Sequence, residues 1–88
     1  MPKAYLKIDN QRGLHARAAA KFVKIARNYE IDITVSKDGQ TVSGISIMGL
    51  LMLAAMPGDK IVLETTGVQA TEGLKALCEL ISKNFEEL

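Results

Sequence analysis

The only histidine of the chain, His15, is the residue whose type and position are best suited to chemistry. It follows Gly13 by two residues and comes immediately before a run in which apolar residues recur every three or four positions, the spacing of an amphipathic helix. The first backbone N–H groups of a helix lack carbonyl partners, and the helix dipole is positive at that end. Such a place binds anions, and it disfavours a second proton on the ring, which leaves a ring nitrogen nucleophilic.

The residues around His15 suit a phosphoryl group as the anion. If a ring nitrogen accepts one, the backbone N–H groups of Ala16, Arg17 and Ala18 can donate to its oxygens. The Arg17 guanidinium adds a planar, permanently charged donor, and Gly13 permits the backbone angles that would turn the ring outward. The alternative, which position alone favours, is an exposed or helix-capping histidine with no chemical role.

The sequence lacks the residues or motifs that a disulfide, a metal site or a nucleotide site would need. Cys78 is the only cysteine and falls on the apolar face of the last predicted helix, so neither an internal disulfide nor a His/Cys metal site is expected. No phosphate loop ending in Gly-Lys-Ser/Thr occurs, and no Gly-x-Gly-x-x-Gly follows a strand, so we expect no nucleotide, metal or other cofactor. A Ser-His-Asp arrangement stays open, although 88 residues leave little room for a substrate cleft.

The composition is that of an ordinary globular protein. With 88 residues, 48% apolar and 24% charged, we expect one domain spanning residues 1–88. We expect it to be cytoplasmic, because no secretory leader is recognisable. The longest apolar stretch, residues 45–56, is shorter than the roughly 20 residues that a bilayer-spanning helix needs, so we expect no membrane insertion.

Charge is distributed unevenly along the chain. The formal net charge is +1, yet residues 1–27 carry seven basic side chains and a single acidic one, Asp9. The partner of this section is therefore expected to be a polyanion or an acidic protein surface.

Two hydrophobic periods alternate along the sequence. A two-residue period predicts strands, a three- to four-residue period predicts helices, and Asp38-Gly39 is a strong hairpin signal. The predicted elements are a strand at 4–9, a helix at 16–28, strands at 31–35 and 40–43, a helix at 46–55, a strand at 60–66 and a helix at 74–85. This βαββαβα order predicts an α+β fold, a two-layer open-faced sandwich of a four-stranded antiparallel sheet covered on one side by three helices.

The string Gly13-Leu14-His15-Ala16-Arg17 closely resembles the active-site signature of the HPr family, the histidine-containing phosphocarriers of the bacterial phosphoenolpyruvate-dependent phosphotransferase system. The resemblance covers nearly the whole chain, because Lys37-Asp38-Gly39 at the hairpin and Ser46-Ile47-Met48-Gly49-Leu50 at the second helix also match that family. It implies a stoichiometric phosphoryl carrier rather than an enzyme, serving carbohydrate uptake or a regulatory or nitrogen-related branch.

The resemblance also implies roles for individual residues. His15 would be phosphorylated on Nδ1 by Enzyme I and would pass the group to an Enzyme IIA component, with Arg17 supporting the transfer. Ser46 would match the regulatory serine that HPr kinase/phosphorylase modifies where an organism has that enzyme. The chain departs from the family at Ala18, where proline is usual, and at Arg12, where a small polar residue is usual, which leaves partner preference open.

Two surfaces are expected to receive these partners. The second helix is apolar all round, so part of it must be exposed, and we expect Ile47, Met48 and Leu51 to form a docking patch. Basic residues spaced along and before the first helix are expected to steer acidic partners: Arg12, Arg17, Lys21, Lys24 and Arg27. A plain alternative for these cations is a solvated helix face.

Two other functions stay open. Ser46 serves as a helix N-cap in either case, and a regulatory protein-binding module switched at Ser46, with His15 incidental, is one alternative. A small nucleic-acid-binding domain is the other, disfavoured because the few aromatic residues do not form a base-stacking strand motif. We expect a monomer.

Overall fold

The computed structural model describes residues 1–86. Its elements, in chain order, are strand β1 (Lys3–Lys7), helix α1 (Ala16–Ala26), strands β2 (Asp32–Lys37) and β3 (Gln40–Ser43), helix α2 (Ile47–Met52), strand β4 (Lys60–Thr66), helix α3 (Ala70–Ser82) and a short 3-10 turn at Asn84–Glu86. The strand order in the sheet is β1-β4-β2-β3, and each neighbouring pair is antiparallel. The predicted α+β sandwich is confirmed.

The hairpin between β2 and β3 forms where the sequence predicts it. Lys37 and Gln40 face each other, and the two residues between them, Asp38 and Gly39, have φ of 51° and 84°. Positive φ at both central positions belongs to the tight turn whose twist matches that of the flanking strands. This hairpin sets the register in which Val35 of β2 lies beside Val42 of β3. On its other side Val35 pairs with Leu63 of β4, in the centre of the sheet.

The helices cover one face of the sheet, and the core lies between the two layers. Alternate residues of β4, Ile61, Leu63 and Thr65, point into it and are at most 2% exposed. Phe22 of α1 packs there with 1% exposure. On the opposite face the side chain of Tyr5 is 75% exposed, so that face is open to solvent.

Helix ends differ from the sequence expectations. Helix α1 stops at Ala26, two residues early, and α3 runs from Ala70 to Ser82 rather than from 74 to 85. Phe85 is 1% exposed, so the predicted burial is correct, but it enters the core from a separate turn with φ of 57°. Its burial, and not helical continuation, explains the apolar residue at this position.

Helix α2 is also shorter than the predicted span of 46–55. It ends at Met52, and Ala54 takes a left-handed φ of 52° that the helix cannot include. The Lys37 ammonium, at the end of β2, donates to the carbonyls of Leu53 and Ala54, both at 3.1 Å. A cation on the last carbonyls stabilises a helix C-terminus, so a residue from the sheet stabilises the end of α2.

Candidate functional site

His15 is the N-cap residue of α1. Its backbone is extended, with φ −87° and ψ −179°, and its carbonyl accepts the first intrahelical bond, from Ala19 N at 2.8 Å. Its ring Nδ1 accepts from the backbone N–H of Arg17 at 3.3 Å. The acceptor Nδ1 carries a lone pair, so the proton of the neutral ring is on Nε2. The half-buried ring therefore directs one nucleophilic nitrogen at the helix N-terminus.

The loop before His15 is held by its backbone. Leu14 N donates to the Ala55 carbonyl at 2.9 Å, and the Asn10 side-chain amide donates to the Gly13 carbonyl at 2.7 Å. Gly13 has φ +67°, and a Cβ at this position would lie 2.4 Å from the Ala55 oxygen. Only glycine fits such a close approach at positive φ. The loop is thereby fixed against the segment that follows α2.

The helix N-terminus at His15 is suited to an anion. The backbone N–H groups of Ala16, Arg17 and Ala18 belong to the first turn, before the regular bonding pattern is established, and the helix dipole is positive there. The first turn of α1 contains no acidic residue that would compete with a bound anion. Oxygens placed next to Nδ1 would therefore meet backbone donors and a positive field.

A cleft of about 610 Å³ lies next to this N-terminus, between the loop after β1, α1 and the C-terminal turn. Three basic and two acidic residues contribute to its wall: Arg12, Arg17, Lys21, Asp9 and Glu86. The Lys21 ammonium donates to the Phe85 carbonyl at 2.9 Å and is thus tied to the C-terminal turn. Arg12 and Arg17 are exposed.

The basic residues of α1 are divided between two places. Lys24 and Arg27 lie away from the cleft and line a shallow groove against the start of α2, where Ile45, Ile47 and Met48 form the other wall. The basic residues expected to steer acidic partners are therefore divided: Arg12, Arg17 and Lys21 line the cleft, and Lys24 and Arg27 line the groove next to α2.

Ser46 also lines this groove and is the N-cap of α2. Its Oγ accepts from the backbone N–H of Gly49 at 3.0 Å. That bond satisfies one of the unpaired donors at the start of the helix, as the sequence predicts. The hydroxyl thus lies at a helix N-terminus with Lys24 and Arg27 across the groove.

The exposed apolar side chains of α2 only partly match the expected docking patch. Ile47 and Met48 are 40% and 67% exposed, as expected. Leu51 differs, because it is half-buried and packs against the core. Met52, 74% exposed, and Met56, 57% exposed, were not expected in the patch. Met52 belongs to α2, whereas Met56 lies beyond its end and past the left-handed Ala54. We call Ile47, Met48 and Met52 the exposed apolar row of α2.

Metal-ion clusters and membrane-spanning helices are absent from residues 1–86. No group of three or more His, Cys, Asp or Glu side chains in this part of the chain is placed to hold a metal ion. None of the helices described has both the length and the apolar character needed to cross a membrane.

Comparison with known proteins gives one consistent family. Residues 3–83 match the family model described as the PTS HPr component phosphorylation site. The phosphocarrier protein HPr of Pseudomonas aeruginosa is 47% identical over 88 residues, covering 99% of this chain and 98% of the relative. The phosphocarrier protein HPr of Neisseria meningitidis is 45% identical over 87 residues, again covering 99% and 98%.

A solved structure agrees with the sequence matches. HPr from Thermoanaerobacter tengcongensis superposes with a TM-score of 0.95 at 39% identity, covering 100% of this chain and 99% of that one. The match extends over both layers of the sandwich and over the loop that carries His15. The chain therefore belongs to the HPr family of phosphocarrier proteins of the phosphotransferase system.

Proposed function

We propose that His15 is the phosphoryl acceptor of this chain, receiving the group from phospho-Enzyme I and passing it to an Enzyme IIA component. The observation that supports this most is the position of Nδ1, which faces the N-terminus of α1 and accepts from Arg17 N at 3.3 Å. A nucleophilic nitrogen and a ready-made oxyanion site are thus adjacent.

The transfer is a displacement at phosphorus. The Nδ1 lone pair forms the new N–P bond while the bond from phosphorus to the donor histidine nitrogen breaks, and the electron pair of that bond stays with the donor. The proton on Nε2 remains in place throughout. In the free protein the Arg17 backbone N–H donates to the Nδ1 lone pair. After transfer it donates to a phosphoryl oxygen instead, so this N–H keeps a hydrogen bond. Transfer to Enzyme IIA is the same step in reverse.

Arg17 has two contributions to this step. Its backbone N–H donates to a phosphoryl oxygen. Its exposed guanidinium lies in the wall of the cleft next to the helix N-terminus. A guanidinium is always charged and binds phosphoryl oxygens through two parallel hydrogen bonds. It can therefore follow the phosphoryl group between the partner's nitrogen and Nδ1.

Partner docking is assigned to the exposed apolar row and the cations that flank it. Ile47 and Met48 offer apolar contact next to Lys24 and Arg27, and Met52 extends the apolar surface toward the end of α2. Arg12 adds a charge in the wall of the cleft. This combination fits an acidic protein surface with an apolar centre, as Enzyme I and Enzyme IIA would have to present.

The test of the acceptor is direct. Incubation with purified Enzyme I and phosphoenolpyruvate should add one acid-labile phosphoryl group per chain, counted by intact mass, and His15→Ala should abolish it. Ser82→Ala, an exposed serine at the far end of α3, is the matched control and should be labelled fully. Labelling that survives in His15→Ala refutes the assignment.

Ser46 is proposed as a regulatory site. A phosphate there would add close to two negative charges at the N-terminus of α2, next to the docking row, and would repel an acidic partner. Ser46→Asp imitates part of that charge, and Ser46→Asn is the matched control, because both side chains cap a helix as well as serine. We expect slower acceptance from Enzyme I in the aspartate variant only, and equal rates in the two variants would contradict the proposal.

A further inference from the structure

The ammonium of Lys37 joins three groups that lie outside the phosphoryl site. Its Nζ is 3.1 Å from the Leu53 carbonyl, 3.1 Å from the Ala54 carbonyl and 3.1 Å from Asp59 Oδ2. It extends from the end of β2 over the segment between α2 and β4, residues 53–59, which we call the 53–59 bend. All three donors of the ammonium are therefore used to hold this bend.

Asp59 fixes the other end of the bend. Its Oδ2 accepts from Met56 N at 2.8 Å, and its carbonyl accepts from Ile8 N at 2.9 Å. Gly58 N donates back to the Ile8 carbonyl at 2.7 Å. The bend is thus fastened to the end of β1, where the His15 loop begins.

The bend in turn supports the His15 loop. The Ala55 carbonyl accepts from Leu14 N at 2.9 Å, and Gly13 approaches the same carbonyl so closely that no Cβ would fit. The Lys37-bound carbonyl of Ala54 and the Ala55 carbonyl that holds Leu14 belong to consecutive residues, and Leu14 directly precedes His15. A shift of the bend must therefore move the backbone next to the phosphoryl acceptor.

The bend is held in a conformation that it would otherwise leave. Ala54 has φ of 52°, in the left-handed region that alanine disfavours because its Cβ approaches the carbonyl oxygen. Such a residue persists only where its surroundings dictate it. The bond from Ala54 N to the Leu51 carbonyl, at 3.1 Å, and the two bonds from the Lys37 ammonium hold it there. Loss of the two Lys37 bonds leaves Ala54 freer to relax and to carry the Ala55 carbonyl with it.

We propose that Lys37 and Asp59 are positioning residues for phosphoryl transfer: they fix the 53–59 bend and, through the bond between Ala55 and Leu14, the ring of His15 at the N-terminus of α1. Neither side chain touches the reacting atoms. The proposal rests on the proposed role of His15, and it adds two residues that belong to β2 and to the turn before β4.

The first test uses the unphosphorylated protein, so it does not depend on His15 accepting phosphate. Lys37→Met removes all three contacts while keeping the length of the side chain, and Lys75→Met, an exposed lysine on α3, is the control. We expect hydrogen exchange at the Leu14 amide to accelerate at least tenfold in Lys37→Met, with the β4 amides unchanged. The control should match the parent protein throughout.

The second test measures phosphorylation by Enzyme I. We expect kcat to fall by roughly tenfold in Lys37→Met, since misplacement of a reacting group is expressed in the chemical step. KM should change less than kcat, because Ile47 and Met48, the docking residues that line the groove with Lys24 and Arg27, lie at the other end of α2. Lys37→Arg, which restores a charged donor, should recover most of the rate, and Asp59→Asn should produce a smaller loss that does not add to that of Lys37→Met.

Each outcome decides the proposal. Exchange that rises equally at Leu14 and across β4 shows a merely structural role and overturns it, as does an unchanged kcat in Lys37→Met. If His15→Ala is still phosphorylated, the acceptor assignment fails by itself, and the Leu14 exchange measurement then decides alone whether Lys37 positions the His15 loop.

Discussion

Alanine in place of Gly13 would test the contact on which the position of His15 depends. Gly13 has φ +67°, and the added Cβ would lie 2.4 Å from the Ala55 oxygen and 3.0 Å from Met56 Cα. Both atoms are backbone, so rotation of a side chain cannot relieve the overlap. The loop before α1 must move away from the 53–59 bend.

The cost follows from two contributions. A left-handed conformation costs an alanine about 1–2 kcal/mol. The movement that relieves the overlap breaks the bond from Leu14 N to the Ala55 carbonyl, worth about 1 kcal/mol. The free energy of unfolding should therefore fall by about 2–3 kcal/mol, which for a domain of this size lowers Tm by about 10–20 °C.

Urea denaturation measures this change, and Gly39→Ala is its control. Gly39 also has positive φ, +84°, but a Cβ there meets no atom within 4 Å. That variant should lose only about 1–2 kcal/mol, from the backbone conformation alone. A loss in Gly13→Ala no larger than in Gly39→Ala would refute the claim that close packing against Ala55 holds the loop.

Two further variants test the caps and charges around the site. The backbone N–H of Met56 and the side chain of Lys37 hold the pKa of Asp59 below its ordinary value of 3.8. The ionised carboxylate therefore stabilises the fold fully at pH values above 3.8, and this stabilisation is lost as the pH falls through the lowered pKa. The stability deficit of Asp59→Asn in urea should thus be full at pH 7 and shrink below pH 4, and a deficit independent of pH would count against this ion pair. Ser46→Ala removes the bond to Gly49 N and should lower the free energy of unfolding by about 1 kcal/mol, measured in the same way; no loss would mean that the cap is dispensable.

Most of the fold could be predicted from the sequence, because its local signals agree with one another. The alternation of Ile33 and Val35, the hairpin pair Asp38-Gly39 and the helical spacing after His15 each depend on near neighbours only. The structure places all of them as expected. The cap at Ser46 was predictable for the same reason, since an N-cap bond spans three residues.

The features that were not predictable depend on residues distant in sequence. Helix α2 ends where the Lys37 side chain arrives from β2, and Lys21 is tied to the Phe85 carbonyl 64 residues away. Hydrophobic periodicity does not predict contacts between residues so far apart in the sequence. Met52 is exposed and Leu51 is not, because the sheet and α1 cover one side of this six-residue helix. The helix is apolar all round, so its sequence does not show which side is covered.

The most direct test of the account is to locate the phosphoryl group in the phosphorylated protein by nitrogen and phosphorus NMR of the His15 ring. We predict a bond from phosphorus to Nδ1, with the proton retained on Nε2, and a large downfield shift of the Arg17 backbone amide as it turns to a phosphoryl oxygen. Phosphorylation on Nε2, or on Nδ1 with an unmoved Arg17 amide, would contradict the central claim that the N-terminus of α1 receives the group.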